Sequence, residues 1–383
     1  MDFSWNKEQL EYKNKVIDFA KENFSNTYIE QDRDSIFSKD DWRKCAAFGL
    51  QGLATPKTYG GTNEEVDILT ATLAMEGLGY GCKDNGLPFA LNAQMWTVQF
   101  PILQFGTEEQ KKKFLPKLAS GEWIGCHALT EPNAGSDVYS METTAEKVDG
   151  GYILNGTKQY ITFAPIGDVI LVFVKTNPKM GKWGISAFLA EKGMKGFTSG
   201  PNRPKMGLRT VPFGDLHFEN CFIPDENLLG KEGAGWAITN SSLEHDRCTI
   251  LAGQLGTMER QLEETIEFVK KRNQFGKPVS AFQGVSHRVA NMKLRLETSR
   301  LLLYKVAWLK SQGKSSMMES AMLKLQLSES FIESSLDAIR SHGGQGYLSE
   351  FEVERNLRDS VGGVIYAGTS DIQRNIIAKL LGL

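Results

Sequence analysis

The chain has 383 residues, and this length predicts two or three domains with enough apolar residues for a sizeable core. The formal net charge is −2, and acidic and basic residues are interspersed, so no basic block indicates a nucleic-acid partner. The five cysteines lie far apart without paired spacing, which argues against a metal site and a disulfide framework and indicates a reducing compartment. They are Cys45, Cys82, Cys126, Cys221 and Cys248.

The first eight residues, MDFSWNKE, are polar and acidic and resemble neither a secretory signal nor a transit peptide. No apolar run approaches the roughly 18 residues that a membrane-spanning helix needs. We therefore expect a cytoplasmic protein without a membrane partner.

The N-terminal part of the chain, residues 1–122, shows helical periodicity and no alternating run. Ser38 precedes a first turn with two acids, which is typical of a helix N-cap. Thr107 stands three residues before Gln110, which is the spacing of a capping box. These features predict an all-helical N-terminal domain.

Between residues 123 and 232 the pattern changes to short β-rich runs punctuated by Gly, Asn and Pro. The runs are 152–158, 169–174, 184–189 and 215–218. They predict a compact, β-barrel-like domain between two helical ones.

From residue 233 to 383 the helical period returns. One apolar face contains Leu251, Leu255, Met258, Leu262, Ile266 and Val269. Further helices are predicted near 285–306, 315–339 and 372–381, with a glycine-rich loop at 342–347. Several long helices joined by short connections predict a four-helix bundle, and the whole chain is predicted to be an α+β multidomain protein.

Two carboxylates and a guanidinium, Glu244, Asp246 and Arg247, stand in the stretch 242–247, where we expect the first bundle helix to begin. Residues two apart on a helix project about 200° apart, so the two carboxylates cannot face one substrate atom. If the helix begins after Glu244, this restriction weakens.

Four segments, in order, resemble signatures of the acyl-CoA dehydrogenase family: TEPNAGSD at 130–137, RNQFG at 272–276, HGGQG at 342–346 and IYAGTSDIQR at 365–374. The likeness covers nearly the whole chain. It implies a helical–β–helical fold, one FAD per subunit, a homotetramer, and oxidation of an acyl thioester at its α and β carbons.

The resemblance also implies which residues contact FAD. Small residues and a hydroxyl in the first signature suit close approach of the backbone to a phosphorylated ligand. Tyr160 stands where the family usually has tryptophan, and a tyrosine ring can also stack on a flavin. The implied contacts of this first group are His127, Leu129, Thr130, Gly135, Ser136, Tyr160 and Thr162.

The resemblance implies that Arg272, Gln274 and Phe275 reach the FAD of a neighbouring subunit, where the forked donors of an arginine suit a diphosphate. Arg340 stands where glutamine is usual, and Asp371 replaces a neutral residue or a longer acid. The remaining implied FAD contacts are Arg272, Gln274, Phe275, Gln283, Arg340, Gly343, Gly344, Thr369 and Asp371.

Most members of the family carry their catalytic glutamate where this chain has Ala367, which cannot accept a proton. A minority branch carries it directly before an arginine on the long helix, and Asp246 occupies that position before Arg247. We therefore predict Asp246 as the base, with Glu244 as its rival. The substrate is expected to contact Arg247, Tyr366, Ala367 and Gly368.

Further segments, at 259–260, 274–278, 281–283, 286–288 and 374–378, resemble a biosynthetic branch of the family that acts on carrier-bound acyl and aminoacyl groups. We expect a small acyl or aminoacyl thioester on an acyl carrier protein. The alternatives are a short- or branched-chain acyl-CoA dehydrogenase that reduces an electron-transfer flavoprotein, and a flavin monooxygenase or non-catalytic flavoprotein. Oxygen is the other candidate acceptor, and a His127 imidazolium would stabilise developing superoxide.

Overall fold

The structure is a computed structural model that describes residues 5–24 and 27–383. The N-terminal segment is helical, as its periodicity predicts. The Ser38 hydroxyl accepts a hydrogen bond from Asp41 N at 3.2 Å, and Thr107 and Gln110 form the predicted capping box. The helices are α1 (Lys7–Asn23), α2 (Tyr28–Asp34), α3 (Lys39–Phe48), α4 (Ile68–Gly81), α5 (Gly86–Gln94), α6 (Phe100–Phe105) and α7 (Glu108–Ala119).

The central segment forms one mixed sheet. Its strands are β1 (Gly125–Ala128), β2 (Thr144–Val148), β3 (Gly151–Thr162), β4 (Val169–Lys175), β5 (Ile185–Glu191), β6 (Phe197–Ser199), β7 (Phe213–Pro224) and β8 (Leu228–Leu229). Their order is β6-β7-β3-β2-β4-β5-β8, and β1 pairs in parallel with β4. The four predicted runs lie in β3, β4, β5 and β7, whereas the shorter β1, β2, β6 and β8 were not predicted.

Strand β4 reads as a continuous apolar run because both of its faces are covered. Val172 and Val174 face the larger core cluster, whereas Leu171 and Phe173 face a second cluster on the opposite side of the sheet. The sheet is thereby packed between helical layers, and the residues that follow β1 and end β3 are held on a rigid support.

The C-terminal segment is again helical. Its elements are α8 (Gly235–Lys271), β9 (Asn273–Gln274), β10 (Lys277–Pro278), α9 (Gln283–Ser311), α10 (Met317–His342), α11 (Gly344–Tyr347), α12 (Val353–Gly363) and α13 (Ser370–Leu380). Helices α8, α9 and α10 pack on one another as a bundle. The predicted loop at 342–347 contains the short helix α11, and α12 was not predicted.

Helix α4 of the N-terminal segment lies directly against α8, because glycines remove side chains from the contact. A Cβ atom on Gly256 would lie 2.0 Å from the carbonyl oxygen of Glu76, and one on Gly79 would lie 1.9 Å from that of Gly253. The two segments therefore share one core around α8.

The prediction that the stretch 242–247 opens a helix is wrong. Helix α8 begins at Gly235, so Glu244 lies in its third turn and Asp246 in its fourth. The cap residue, Ala234, has no capping side chain, and Gly235 fits tightly against Ile185, so tertiary packing rather than a local cap sets this start. The two carboxylates consequently point about 200° apart.

Along the described ranges, we find no helix with both the length and the apolar character needed to cross a membrane. The five cysteines are buried free thiols.

Candidate active site

Asp246 is a buried carboxylic acid on the inner side of α8. The residue is 3 % exposed, and its Oδ1 atom has no hydrogen-bond partner among the described residues. Burial raises the pKa of Asp246 to about 7, although the neighbouring charge of Arg247 acts in the opposite direction. A carboxyl group with this pKa can accept and release a proton near neutrality, which is what a general base needs.

Glu244 has a different environment. Its Oε1 accepts hydrogen bonds from Lys310 Nζ at 3.2 Å and from Ser316 Oγ at 3.0 Å. Burial alone would raise the pKa of Glu244, but the charge and the hydrogen bonds of these partners outweigh it and lower the pKa. Glu244 is thus held as a paired carboxylate, on a different side of α8 from Asp246.

The loop after α12 is fastened to α8 beside Asp246. Arg247 Nε donates a hydrogen bond to the Ala367 carbonyl at 3.1 Å, and Gln373 Nε2 donates to the Gly368 carbonyl at 2.9 Å. Ala367 and Gly368 both adopt positive φ, 53° and 88°, so the chain turns sharply here. The predicted substrate contacts Arg247, Ala367 and Gly368 are therefore brought together.

Tyr366 belongs to the same loop, and its hydroxyl group interacts electrostatically with the carboxyl group of Asp246. Burial and the charge of Asp246 raise the pKa of Tyr366, which keeps its hydroxyl protonated. The hydroxyl accepts a hydrogen bond from Gln254 Nε2 at 2.6 Å. Tyr366 and Gln254 line a small cavity of about 20 Å³ whose apolar walls include Phe89, Ile250 and Phe331.

Leu129 and Thr130 follow β1 and are joined to the end of β3. The Thr130 carbonyl accepts a hydrogen bond from Gln159 N at 2.8 Å. The pairing of β3 with β7 shifts register between Lys158 and Ile161, and Tyr160 adopts a φ of 61° at this irregularity. Tyr160 and Thr162 thereby come to the same edge of the sheet as Thr130.

The ring of Tyr160 lies at the protein surface. It is 53 % exposed, stacks on Phe213 with ring centroids 6.0 Å apart, and lies 5.5 Å from the guanidinium carbon of Arg203. Asp215 in turn forms an ion pair with Arg203. An aromatic ring supported in this way offers its remaining surface to a planar ligand.

His127 on β1 does not carry the charge proposed for it. Burial and the nearby ammonium of Lys158 lower the pKa of His127 to about 4, so the imidazole is neutral at pH 7. The expectation of an imidazolium is therefore corrected. Its Nε2 atom is buried and lacks a hydrogen-bond partner within the described residues.

Gly135 and Ser136 follow a tight turn in which Glu131 and Ala134 exchange two backbone hydrogen bonds, of 3.1 and 3.2 Å. Both residues are exposed, and a Cβ atom on Gly135 would meet nothing within 4 Å. The backbone of the first signature is accordingly open to a ligand.

The second group of predicted cofactor residues gathers at one end of the bundle. Phe268 at the end of α8 stacks on His342 at the end of α10 with ring centroids 4.2 Å apart, and Arg288 of α9 donates to the Arg340 carbonyl at 3.5 Å. These contacts bring together seven exposed residues: Arg272, Gln274, Phe275, Gln283, Arg340, Gly343 and Gly344.

This group forms a surface of its own. Phe275 is 92 % exposed at the tip of the β9–β10 hairpin and adopts a φ of 51°. Across residues 5–24 and 27–383, no hydrogen bond or ion pair joins the group to Leu129, Thr130 or Tyr160. The described residues of one chain therefore show no polar contact between the two groups.

Thr369 and Asp371 lie at the start of α13. Thr369 is the N-cap and accepts a hydrogen bond from Ile372 N at 3.2 Å. Asp371 is exposed and pairs with Arg374 at 2.8 Å. Thr369 directly follows the loop beside Asp246, whereas the Asp371 side chain is occupied by a surface ion pair.

Three family models match successive parts of the chain: the N-terminal domain of acyl-CoA dehydrogenase at residues 6–122, the middle domain at 126–221 and the C-terminal domain at 233–382. An L-prolyl-[peptidyl-carrier protein] dehydrogenase of Pseudomonas fluorescens is 41% identical, over 100% of both chains. The chain belongs to the acyl-CoA dehydrogenase family.

Two solved structures of this family superpose closely. One is the crystal structure of the prolyl acyl carrier protein oxidase AnaB, with a TM-score of 0.97, 47% identity and coverage of 99% of this chain and 100% of the other. The other is PigA with FAD and proline, with a TM-score of 0.97, 41% identity and coverage of 100% of both chains. The three-domain acyl-CoA dehydrogenase fold, with a central sheet between helical segments, is thereby established.

The residues present fit the FAD that this family membership implies. The edge of the sheet offers an exposed aromatic ring at Tyr160, the unpartnered Nε2 of His127, and open backbone at Gly135. In the described part of the chain, no group of three or more His, Cys, Asp or Glu side chains could hold a metal ion.

Sequence reasoning missed the ion pair that supports this edge. Lys158 is fully buried and donates to Glu131 Oε1 at 2.6 Å and to the Leu129 carbonyl at 3.2 Å. Glu131 also accepts hydrogen bonds from the backbone of Glu142 and Thr143. No local signal marks this lysine, because it stands between the polar residues Thr157 and Gln159 in β3. The pair fixes the backbone from Leu129 to Glu131.

Proposed function

We propose that the chain is an FAD-dependent enzyme that desaturates a small aminoacyl thioester carried by a carrier protein. The observation that carries this proposal is the buried carboxyl group of Asp246, whose Oδ1 atom has no hydrogen-bond partner among the described residues and which lies beside the loop held by Arg247. Bound FAD supplies the acceptor for the hydride that leaves the β-carbon.

Asp246 accepts the proton from the α-carbon of the substrate. Its pKa of about 7 leaves a useful fraction ionised at neutral pH, and burial makes this carboxylate more basic than an exposed one. Aspartate is one methylene shorter than the glutamate of the related branch, so the substrate must lie closer to α8.

Arg247 holds the loop that faces the base. Because its Nε atom donates to the Ala367 carbonyl, the backbone around Tyr366 and Gly368 keeps a fixed distance from Asp246. The side chain of Ala367 is small and cannot compete for the proton. The loop thus shapes the substrate site while the helix supplies the base.

We propose FAD contacts for both predicted groups. Leu129, Thr130, Tyr160 and Thr162 would line the flavin ring, and Gly135 and Ser136 would approach the diphosphate. The exposed residues around Phe275 would complete the site of another subunit in a homotetramer, since a phenylalanine that is 92 % exposed is more stable when covered.

The carrier-bound aminoacyl substrate is supported by similarity to relatives whose names refer to prolyl groups on carrier proteins. The electron acceptor is oxygen or an electron-transfer flavoprotein, and the rate at which air reoxidises the reduced enzyme separates the two.

Anaerobic flavin reduction tests the proposal. Prolyl carrier protein should bleach the flavin much faster than prolyl-CoA or a short acyl-CoA at the same concentration. Equal rates with carrier and CoA thioesters would instead support a general acyl-CoA dehydrogenase. A flavin that bleaches only with an added reductant such as NADPH would indicate a monooxygenase, and one that no thioester or reductant bleaches would indicate a non-catalytic flavoprotein.

A further inference from the structure

The Gln254 side chain contains an unsatisfied acceptor in the wall of the cavity. Its Nε2 atom donates to the Tyr366 hydroxyl at 2.6 Å, whereas its Oε1 atom is buried without a hydrogen-bond partner within the described ranges. A buried acceptor that has no partner costs free energy, so a donor that the described residues do not supply must pair with it.

The other polar side chains of the cavity wall are already engaged. Asp359 accepts hydrogen bonds from Leu208 N at 2.6 Å and from Asn85 Nδ2 at 2.8 Å. Thr257 Oγ1 donates to Asn85 Oδ1 at 2.9 Å. Gln254 Oε1 is therefore the acceptor that remains for a ligand in an otherwise apolar space.

The absence of a side chain at Gly363 leaves room for the Gln254 amide. A Cβ atom on Gly363 would lie 2.7 Å from Gln254 Nε2, so only glycine there lets the amide adopt its position. Gly253, which also lines the cavity, has no side chain to fill it. The position of the amide group is thus set by packing.

The predicted base lies on the same side of α8 as two residues that line the cavity, Ile250 and Gly253. Asp246, Ile250 and Gly253 project within about 60° of one another, and Gln254 lies about 12 Å further along the helix axis than Asp246. The Gln254 side chain is longer than that of Asp246 and leans towards the N-terminus, so its amide reaches back over part of this distance. Tyr366 links the two residues, because its hydroxyl group is hydrogen-bonded to Gln254 and interacts electrostatically with Asp246.

We propose that Gln254 Oε1 accepts a hydrogen bond from the amino nitrogen of the substrate and makes the site selective for an aminoacyl group over its carbon analogue. This inference rests on the proposed function. An α-amino nitrogen is bonded to the carbon from which Asp246 takes the proton. A cyclic secondary amine such as that of a prolyl group carries an N–H donor whether it is neutral or protonated, and a hydrocarbon ring carries none.

The amide also explains why discrimination would be strong. A site built to pair with an N–H group rejects an analogue that lacks it, because the acceptor then stays buried and unpaired. Gln254 acts here as a specificity-determining residue, while proton removal remains the role of Asp246.

The test compares two carrier-bound thioesters, prolyl and cyclopentanecarbonyl, which have the same ring size. Rate constants for anaerobic flavin reduction and their half-saturation concentrations are measured with the flavin-loaded wild type and with Gln254→Leu and Gln254→Met. We expect wild type to prefer the prolyl thioester about 10- to 100-fold, as one buried hydrogen bond allows. The preference should fall towards 1 in both variants.

Gln312→Leu is the matched control, because it makes the same substitution at an exposed amide at the end of α9. Its preference for the prolyl thioester should stay near that of wild type. Retention of the wild-type preference in Gln254→Leu or Gln254→Met would overturn the inference, as would an equal loss of preference in Gln312→Leu. A wild type whose flavin is not reduced by the prolyl thioester would instead overturn the proposed function.

Discussion

Asp246 and Arg247 are neighbours in sequence but do not form an ion pair. Asp246 Oδ1 has no hydrogen-bond partner in the described part of the chain, whereas Arg247 Nε donates to the Ala367 carbonyl at 3.1 Å. The guanidinium is thereby used to hold the loop at Tyr366–Gly368. The carboxyl group is left free, buried and basic, which is the state that proton abstraction requires.

Asp246→Asn should bind FAD normally and lose several orders of magnitude in the rate of anaerobic flavin reduction, because an amide cannot take the proton. The measurement is stopped-flow bleaching with saturating substrate. Glu244→Gln is the control, since it neutralises a carboxylate two residues away that is held by Lys310 and Ser316. If Glu244→Gln is inactive while Asp246→Asn turns over, Glu244 is the base.

The rate of flavin reduction should rise with pH through an apparent pKa near 7, because burial raises the pKa of Asp246 to about 7 and only the carboxylate accepts a proton. The rate is measured from pH 5.5 to 8.5 in wild type and in Arg203→Gln, a variant of a surface arginine that is in contact with Tyr160 and Asp215. The inflection should persist in the variant. A flat wild-type profile would contradict the assignment.

The ionisation of Asp246 should also affect folding stability: the free energy of unfolding should fall as the pH rises, whereas the rate of flavin reduction rises. The folded-state pKa of Asp246 lies above its ordinary value, so its contribution to stability is fully present below pH about 4 and is lost as the pH rises to about 7. Asp246→Asn lacks this loss and should gain stability over wild type across that window, by at most about 4 kcal/mol. Urea unfolding at pH 4.5, 6 and 7.5 measures the difference, and a constant difference would refute it.

Arg272→Ala should weaken FAD retention and tetramer formation if the surface around Phe275 completes a neighbouring subunit's site. Flavin content after gel filtration and the molar mass by light scattering report the two effects. Lys270→Ala removes the same charge two residues earlier on α8 and should leave both unchanged. Full flavin occupancy and an unchanged assembly in Arg272→Ala would count against the bridging role.

Glu131→Gln should destabilise the protein by about 3–5 kcal/mol, because it leaves the buried Lys158 ammonium without its carboxylate. Asp225→Asn breaks the exposed ion pair with Lys147 and should cost at most about 1 kcal/mol. Urea unfolding of the two variants at pH 7 makes the comparison. Similar losses in both would show that the Lys158–Glu131 pair contributes no more than a surface pair.

His127→Phe should slow reoxidation of the reduced enzyme in air if oxygen is the acceptor, because it removes a polar atom beside the proposed flavin site. Since the pKa of His127 is lowered to about 4, the wild-type rate should not fall between pH 6 and 8 through loss of an imidazolium. Oxygen consumption and peroxide yield are measured over this range. A rate that falls with a midpoint near pH 6.5 would show that His127 is charged in the reduced enzyme.

Several parts of the fold were predictable because their causes are local. The caps at Ser38 and Thr107 are formed within three residues, and the apolar run of β4 reflects its burial on both faces. The start of α8 was not predictable in this way, since Gly235 is placed by its contact with Ile185, 50 residues earlier in the sequence, and no capping side chain marks it.

The sequence by itself determined the family, the order of helical and β segments, and a short list of carboxylates, because periodicity, capping and signature motifs are properties of neighbouring residues. Only the tertiary structure decided which carboxylate is left free. Glu244 accepts hydrogen bonds from Lys310 and Ser316, which are 66 and 72 residues away. Arg247 donates to the Ala367 carbonyl, 120 residues away, and the buried Oδ1 atom of Asp246 has no partner among the described residues. A pKa depends on burial and on the charges that packing brings near, and neither can be read from the residues on either side.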